Sequence, residues 1–496
     1  MLNQMKYIIF LLGLTFSANL SAQVIEINLD KSIELASDSS LQSFINKNLY
    51  LASYWQYRNF KAGRLPSVTL KTIPLRYNRD FVKRYDSDQD IEIYRRQQSL
   101  SSSGNLQISQ NLDLTGGTFF IDSELGYMRG FGDNKYTQFS TVPIRVGYFQ
   151  SLFGFNSFKW EKKIEPLKYE KAEKQFLYSR EQVSEDVISR FFDLAMAQVE
   201  YDMAMETLTS SDTLYQLGTL RHEIASISQP DLLTLKLDAV NARNALANAE
   251  IDKQRSMFSL VSYLNLPGKT QVKLTLPLRP KDLVISGDLA LAYAKENNPQ
   301  YIGFKQEILE SEREVDRTRK SSTFDASVSA SIGFNQVADK FSAAYRKPLQ
   351  QDIVSIGLTI PILDWGVRKG RANMARNNFN VTRLSVQQKE VSLEQDILMT
   401  VSDFNIQQNQ IESAEEALEL SRMAYDITKE RFVIGKADLS SLTLALQRQN
   451  TAQRNYISTL KNYWQSYYKL RRLTLYDFAE NKKIALDFDE LLHKSK

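Results

Sequence analysis

The sequence predicts an α+β membrane protein with an internal tandem duplication, in which a long α-helical barrel, or coiled-coil tunnel, continues into a transmembrane β-barrel. Three features lead to this fold class: a sequence repeat, two unusually long helical stretches, and segments in which apolar residues alternate with small polar ones. The repeat has the widest consequence of the three, because an overlooked repeat leads to a wrong assignment of the whole fold.

The duplication is visible in two registers. Leu233-Thr234-Leu235-Lys236-Leu237 returns 209 positions later as Leu442-Thr443-Leu444-Ala445-Leu446, and Asp30 matches Asp288 at an offset of 258. The offsets differ by 49, so the first half contains about that many extra residues. We therefore divide the mature chain into a first repeat over 23–266 with strands in 66–150, a linker over 267–287, a second repeat over 288–475 with strands in 324–362, and a C-terminal tail over 476–496.

Composition and the first residues indicate an exported protein. Lys6 precedes a short apolar run and small residues that end at Ala22, so residues 1–22 are predicted to be a signal peptide. The chain has no cysteine, which excludes disulfides and thiolate metal sites, and no later apolar stretch is long enough for a membrane helix. The net charge of +4 is small for 496 residues, and basic residues alternate with acidic ones, so we expect no nucleic acid partner.

Two long helices are predicted from Asn156 to Leu220 and from Gly366 to Val433. Apolar residues recur three and four positions apart in both, and at 1.5 Å per residue the helices extend about 98 and 102 Å. Such helices must pack in a bundle or coiled coil, because a globular core cannot bury them. Shorter helices are predicted over 30–65, 231–264, 288–321 and 438–473, with Asp30 and Asp288 as N-caps.

Segments with a period of two lie between the short and the long helices. Residues 326–334 and 354–362 alternate apolar side chains with serine, threonine or glycine, and 68–73 and 142–150 match them in the first repeat. This pattern is typical of barrel strands with lipid outside and water inside, although the edge of a soluble sandwich has it too. Residues 105–110, Gly116-Gly117 and residues 119–128 are predicted to form an added hairpin in the first repeat. Two strands per repeat cannot close around a lumen, so several chains must contribute.

The order helix, strands, long helix, helix, given twice, resembles TolC-like outer-membrane efflux proteins. The sequence segments that match this family are Leu65-Pro66-Ser67-Val68, the segments 150–156 and 361–366 after the strands, and the segment 431–439 between the last two helices. The resemblance covers about residues 29–478. It implies a homotrimer with a twelve-stranded barrel, without enzymatic activity or cofactor, that serves as exit duct in efflux or type I secretion. Its implied partners are a periplasmic adaptor (membrane fusion protein), an inner-membrane pump of the RND or ABC type, and outer-membrane lipid.

The resemblance also suggests docking residues, because the family's helix-to-helix turns at the periplasmic tip face the adaptor. These residues are Arg221, Ile224 and Ala225 in the first turn and Arg431, Ile434, Gly435 and Lys436 in the second. Gly435 suits a positive φ or a close approach by a partner, whereas Ala225 departs from that pattern, so the tips are expected to act unequally. The alternative is that both are only well-capped turns.

Acidic residues near the tips have two possible roles. Asp231 and Asp438 are the carboxylates nearest to the predicted tunnel mouth, where three-fold symmetry makes each a cation-attracting ring. Alternatively they cap helices, and Asp231 has the capping-box spacing from Ser228. The two histidines, His222 and His493, suggest no catalytic or metal site. The competing class of protein is a periplasmic coiled-coil adaptor or scaffold without a barrel, against which both strand pairs argue.

Overall fold

Long helices and one large sheet make up most of the chain. The computed structural model describes residues 24–86, 90–131, 135–225, 227–268, 270–277, 283–322, 324–434 and 436–493, so the predicted signal peptide and Gly435 lie outside the described residues. The helices are α1 Leu29–Ser39, α2 Leu41–Ala62, α3 Ser157–Glu223, α4 Gln229–Tyr263, α5 Gly287–Asn297, α6 Pro299–Ser321, α7 Val367–Val433, α8 Leu439–Thr474 and α9 Phe488–His493. The strands are β1 Val24–Ile27, β2 Ser67–Asp86, β3 Ile91–Asn111, β4 Thr118–Phe131, β5 Tyr136–Ser151, β6 Gln271–Leu274, β7 Asp325–Ala338, β8 Leu349–Thr359, β9 Tyr476–Asp477 and β10 Lys482–Lys483.

The two long helices are present and equal in length. Both α3 and α7 have 67 residues, which corresponds to about 100 Å each. Their ends lie within three residues of the predicted ones. Among the described helices, none combines the length and the apolar character that a membrane-crossing helix needs.

The shorter helices before the strands are each broken, which the sequence analysis did not predict. The predicted helix 30–65 is α1 and α2, separated by Ser40, and the predicted helix 288–321 is α5 and α6, separated by Asn298. Both separating residues have extended backbones, with ψ of 147° and 127°. The break at Asn298 has a clear cause, because Pro299 disfavours the helical conformation of the residue before it. The two breaks lie 258 positions apart and so belong to the repeat.

The predicted N-caps Asp30 and Asp288 are wrong. Asn28 is the N-cap of α1, where its side chain accepts from the backbone N–H of Lys31, and Ser286 is the N-cap of α5. Asp30 and Asp288 lie in the first turns of these helices. A negative charge is favourable there because it faces the positive end of the helix dipole.

Six antiparallel strands form one sheet in the order β2-β3-β4-β5-β7-β8. The first repeat supplies four strands and the second supplies two. The added hairpin is β3 and β4, and Gly116 in its turn has a positive φ of 77°. The sheet thus has two strands more than the four that each subunit of the implied twelve-stranded barrel supplies, and the strand number of the barrel stays a prediction.

The chain divides into two units, and the sheet lies in the one formed by Ala52–Ala172 and Gln300–Glu390. The other unit has its own core, where β1, α1, α3, α4 and β6 meet. Its fully buried members include Ile27, Ala36, Val187, Leu194 and Leu260.

The linker takes part in this second unit, which was not predicted. Its strand β6 pairs in parallel with β1, and Gln198 of α3 donates to the carbonyl of Val272 at 2.8 Å. In the second repeat Gln408, 210 positions later, accepts from the backbone N–H of Leu283 at 3.0 Å. The equivalent glutamines of the two long helices therefore both hold the linker.

Candidate functional site

The large sheet has one apolar and one polar face. On one face, cross-strand pairing aligns a row of β-branched residues over five strands: Val68, Ile108, Ile121, Val146 and Ile332. One residue further along β2, the opposite face carries a row over six strands: Thr69, Gln107, Asp122, Arg145, Gly333 and Gln351. An apolar outer face and a polar inner face are the signature of a transmembrane barrel wall.

A charged cluster on the polar face identifies the side that avoids lipid. The guanidinium of Arg145 donates to both carboxylate oxygens of Asp122, at 2.9 and 2.6 Å, and Asn105 donates to the same carboxylate at 3.1 Å. The Asp122 side chain is only 3% exposed. A charge on the lipid side of a barrel is costly, so this face is suited to a water-filled lumen.

Aromatic residues border the apolar face at both ends. At one end the rings of Tyr127, Phe139 and Phe341 form a chain with centroids 5.2 and 5.8 Å apart. At the other end Phe119 of β4 lies opposite Tyr148 of β5. From Phe119 to Tyr127 the strand rises about 27 Å, or about 21 Å along the membrane normal at a tilt of 40°. That height is close to the roughly 25 Å of a barrel's apolar band between its aromatic girdles.

The first tip is a tight turn between α3 and α4. Ala225 has a φ of 56°, in the left-handed region that favours glycine, and its N–H donates to the carbonyl of His222 at 2.9 Å. Ala225 therefore adopts the backbone conformation that we expected only of a glycine. The side chain of Ile224 is 74% exposed. The imidazole Nδ1 of His222 lies 3.2 Å from the carbonyl of Ile227, a contact that the sequence analysis did not foresee.

The second tip, between α7 and α8, lies beside the first. The N–H of Lys436 donates to the carbonyl of Arg431 at 2.8 Å, and Ile434 is 64% exposed. The guanidinium carbon of Arg221, at the end of α3, lies 5.9 Å from the centre of the Phe432 ring. The structure thus brings Arg221 of the first turn beside the second turn, through Phe432, which was not among the predicted docking residues.

Asp231 and Asp438 both cap helices. Ser228 and Asp231 form a complete capping box at the start of α4, and the hydrogen bond from the Ser228 side chain lowers the pKa of Asp231. Asp438 is the N-cap of α8 and accepts from the N–H of Ser441 at 2.7 Å; hydrogen bonds from the side chain and then from the backbone of Ser441 lower its pKa. Both carboxylates therefore stay charged at neutral pH, and the cation-attracting ring stays a prediction.

Exposed apolar residues follow the spacing of a coiled coil along two helices. On α7 they recur every seven residues as Leu384, Val391 and Leu398, and again as Leu420 and Ile427. On α4 the exposed members are Leu237, Val240, Ile251 and Phe258. Because apolar residues at this spacing pack against a second helix, these seams indicate partners outside the chain.

Comparison with known proteins agrees with this geometry. Residues 294–474 match the outer membrane efflux protein family, and no curated protein sequence is significantly similar to the chain. The Campylobacter jejuni CmeC outer membrane channel has a similar structure, with a TM-score of 0.67 and 14% identity over 94% of this chain and 88% of CmeC. The outer membrane protein VceC from Vibrio cholerae gives 0.62 and 13% over 92% and 97%, and the open state of the Neisseria gonorrhoeae MtrE outer membrane channel gives 0.58 and 12% over 92% and 91%. At these identities the structural likeness establishes the fold.

Proposed function

We propose that this chain, whose residues 294–474 match the outer membrane efflux protein family, is an outer-membrane exit duct that extends into the periplasm and serves a tripartite efflux or type I secretion system. The observation that carries the proposal is the sheet with one apolar and one polar face, joined to two 67-residue helices. In a periplasmic adaptor or scaffold, an apolar sheet face bordered by aromatic rings would have no role. The transported substrate passes through the duct without chemical change, so the protein is not an enzyme.

The working form in this proposal is a homotrimer. The seams of exposed apolar residues on α4 and α7 have the heptad spacing of helices that pack against neighbours. Since a single six-stranded sheet cannot enclose a lumen, several copies are needed to build one barrel. Three copies of two similar repeats give six similar helix pairs around one tunnel.

The tips are the proposed docking surface for a periplasmic adaptor, which in turn recruits an inner-membrane RND or ABC pump. The surface consists of Arg221, Ile224, Ala225, Arg431, Ile434, Gly435 and Lys436. Its exposed isoleucines, Ile224 and Ile434, occupy equivalent positions in the two turns. Exposed apolar side chains rimmed by charged ones are typical of protein interaction sites.

Cell fractionation tests the exit duct. The protein should extract with the outer membrane and run on an unheated gel as a trimer that heat dissociates. Cells without it should accumulate an efflux dye, and the wild-type chain should restore export. A soluble periplasmic protein without a heat-sensitive trimer would contradict the proposal and favour the scaffold.

Substitution of Gly435 tests the docking surface separately. Gly435→Phe should abolish dye export and leave the heat-sensitive trimer intact, because it obstructs a contact with the adaptor and not the fold. The matched control is Gly268→Phe in the linker, where an added Cβ atom would meet no atom within 4 Å, and it should export normally. Normal export by Gly435→Phe would argue that the tips are only well-capped turns.

A further inference from the structure

The sheet has two edges without a partner strand in the described part of the chain: β2 pairs only with β3, and β8 pairs only with β7. We propose that β8 of one copy pairs with β2 of the next, so that three copies close an eighteen-stranded barrel. This inference rests on the proposed trimer. It departs from the twelve strands that the resemblance implies.

The added hairpin belongs to the wall and is not an appendage. At one edge of the hairpin β3 is paired with β2 from Ile91 to Ser109, and at the other edge β4 is paired with β5 from Thr118 to Gly130, each with one irregularity. Neither edge of the hairpin is therefore free to leave the sheet without breaking a complete ladder. A four-stranded wall without the hairpin would require the loss of all the β2–β3 pairs and all the β4–β5 pairs.

The two faces of the hairpin match those of the remaining strands. Ile108 of β3 and Ile121 of β4 lie in the middle of the apolar row, and Gln107 and Asp122 lie in the polar row. The charged pair that marks the lumen side joins Asp122 of the hairpin to Arg145 of β5. An appendage in water would have no reason to keep both faces in phase with the wall.

Six strands per copy are also compatible with closure. Because the number is even, β8 runs opposite to β2, and the neighbouring edges meet in the antiparallel orientation used throughout the sheet. Barrel diameter grows about linearly with strand number. With strands about 4.8 Å apart and tilted by about 40°, eighteen strands give a backbone diameter of about 36 Å, against about 24 Å for twelve.

The consequence is an outer-membrane lumen with about twice the cross-section of a twelve-stranded one. Barrels of 16–18 strands leave an aqueous channel even as single chains. We infer that the membrane segment itself admits bulky passengers, including polypeptide, so that any size limit is set in the helical tunnel.

Cysteine accessibility tests whether the hairpin lies in the wall, and the absence of native cysteine makes every introduced thiol unique. In outer-membrane vesicles a membrane-impermeant maleimide should label Gln107→Cys and should not label Leu106→Cys until the protein is denatured. The matched control pair on β7, Ser329→Cys and Val328→Cys, should behave in the same way. Equal labelling at 106 and 107 would overturn the eighteen-stranded wall.

Cross-linking between copies tests closure directly. Ser355→Cys on the polar face of β8 should form inter-subunit cross-links when combined with Thr69→Cys or Lys71→Cys on β2, by use of a short bifunctional maleimide. Combined with Phe120→Cys on β4, it should form none. An intact heat-sensitive trimer that cross-links through β4 would overturn the eighteen strands and leave the exit duct standing, whereas the absence of any trimer would overturn both.

Discussion

Replacement of Arg471 by methionine tests a buried charge network at the C-terminal end of α8. The Arg471 Nε atom donates to Glu181 Oε2 at 3.0 Å, and its Nη1 atom lies 2.9 Å from Asp477 Oδ2. The three side chains are only 18%, 6% and 9% exposed. Tyr467 adds a hydrogen bond to Asp477 at 2.6 Å. Arg471 is thus the cation that two buried carboxylates share.

The expected cost is large, because the change leaves buried charge without its partner. Loss of one member of a buried ion pair costs about 3–5 kcal/mol, a substantial part of the roughly 5–15 kcal/mol that stabilises a typical protein. Burial already raises the pKa of Glu181, although the charge of Arg471 opposes the increase. Without Arg471 that opposition disappears, and the pKa of Glu181 rises further.

The direction of the pH dependence follows from this shift. A carboxyl group with a raised folded-state pKa contributes stability below its unfolded pKa of about 4.3, and this stability is lost as the pH rises through the folded value. The free-energy deficit of Arg471→Met relative to the wild type should therefore be larger at pH 8 than at pH 5. Asp477 works in the opposite sense in the wild type: burial opposes its ionisation, but the Tyr467 hydrogen bond and Arg471 lower its pKa. The stability that ionised Asp477 contributes is therefore lost as the pH falls through its folded-state pKa.

Thermal unfolding of the full chain in detergent, followed by circular dichroism at both pH values, measures these effects. The control is Lys483→Met, which removes the exposed ion pair with Glu296 and should leave the midpoint near that of the wild type. The double variant Glu181→Met with Arg471→Met should recover part of the loss. A midpoint for Arg471→Met equal to that of Lys483→Met would show that the buried network does not stabilise the protein.

Three further changes test the turns and the helix break. Ala225→Gly should raise the unfolding free energy by about 0.5–1 kcal/mol, because it relieves a left-handed backbone, and an unchanged thermal midpoint would contradict this. Asn298→Ala should cost about 1–3 kcal/mol in a denaturant titration, since the buried Asn298 amide donates to the carbonyl of Leu473 at 2.8 Å. Asp438→Asn keeps an N-cap for Ser441 but removes the charge, so the reversal potential in planar bilayers should not change, and a shifted reversal potential would favour the acidic ring. Asp438→Ala removes the N-cap and should lower thermal stability.

Periodicity predicted the elements that face two different environments. The long helices were predicted within a few residues because a 3.6-residue pattern persists wherever one side is packed. The strands were predicted too short for the same reason. Beyond Arg76 on β2 and before Gln97 on β3, charged residues occupy both faces, as with the adjacent residues Arg79 and Asp80, whose side chains point to opposite faces of β2. Where both faces meet water, alternation is not required and leaves no signal in the sequence.

The tips show a different limit of sequence reasoning. The residues of both turns were identified by resemblance. The residue type at position 225 did not indicate a positive φ, which Ala225 nevertheless adopts, because a left-handed φ is set by the hydrogen bonds of the whole turn and not by residue type. The contact between Arg221 and Phe432 joins residues from different repeats. No local pattern encodes such a contact, since it depends on how the two helix pairs pack.

The two repeats contribute different numbers of strands to the sheet, but their long helices have the same length. This difference points to different constraints on the sheet and on the long helices. Helices α3 and α7 have kept 67 residues each, as expected if both must reach from the same membrane level to the same docking level. The sheet tolerated an insertion because β3 and β4 form a hairpin, which returns the chain to the level at which it entered. One added strand would have sent α3 to the opposite side of the membrane. In the proposed trimer, a hairpin is therefore the smallest insertion that widens the barrel and leaves the helical tunnel unchanged.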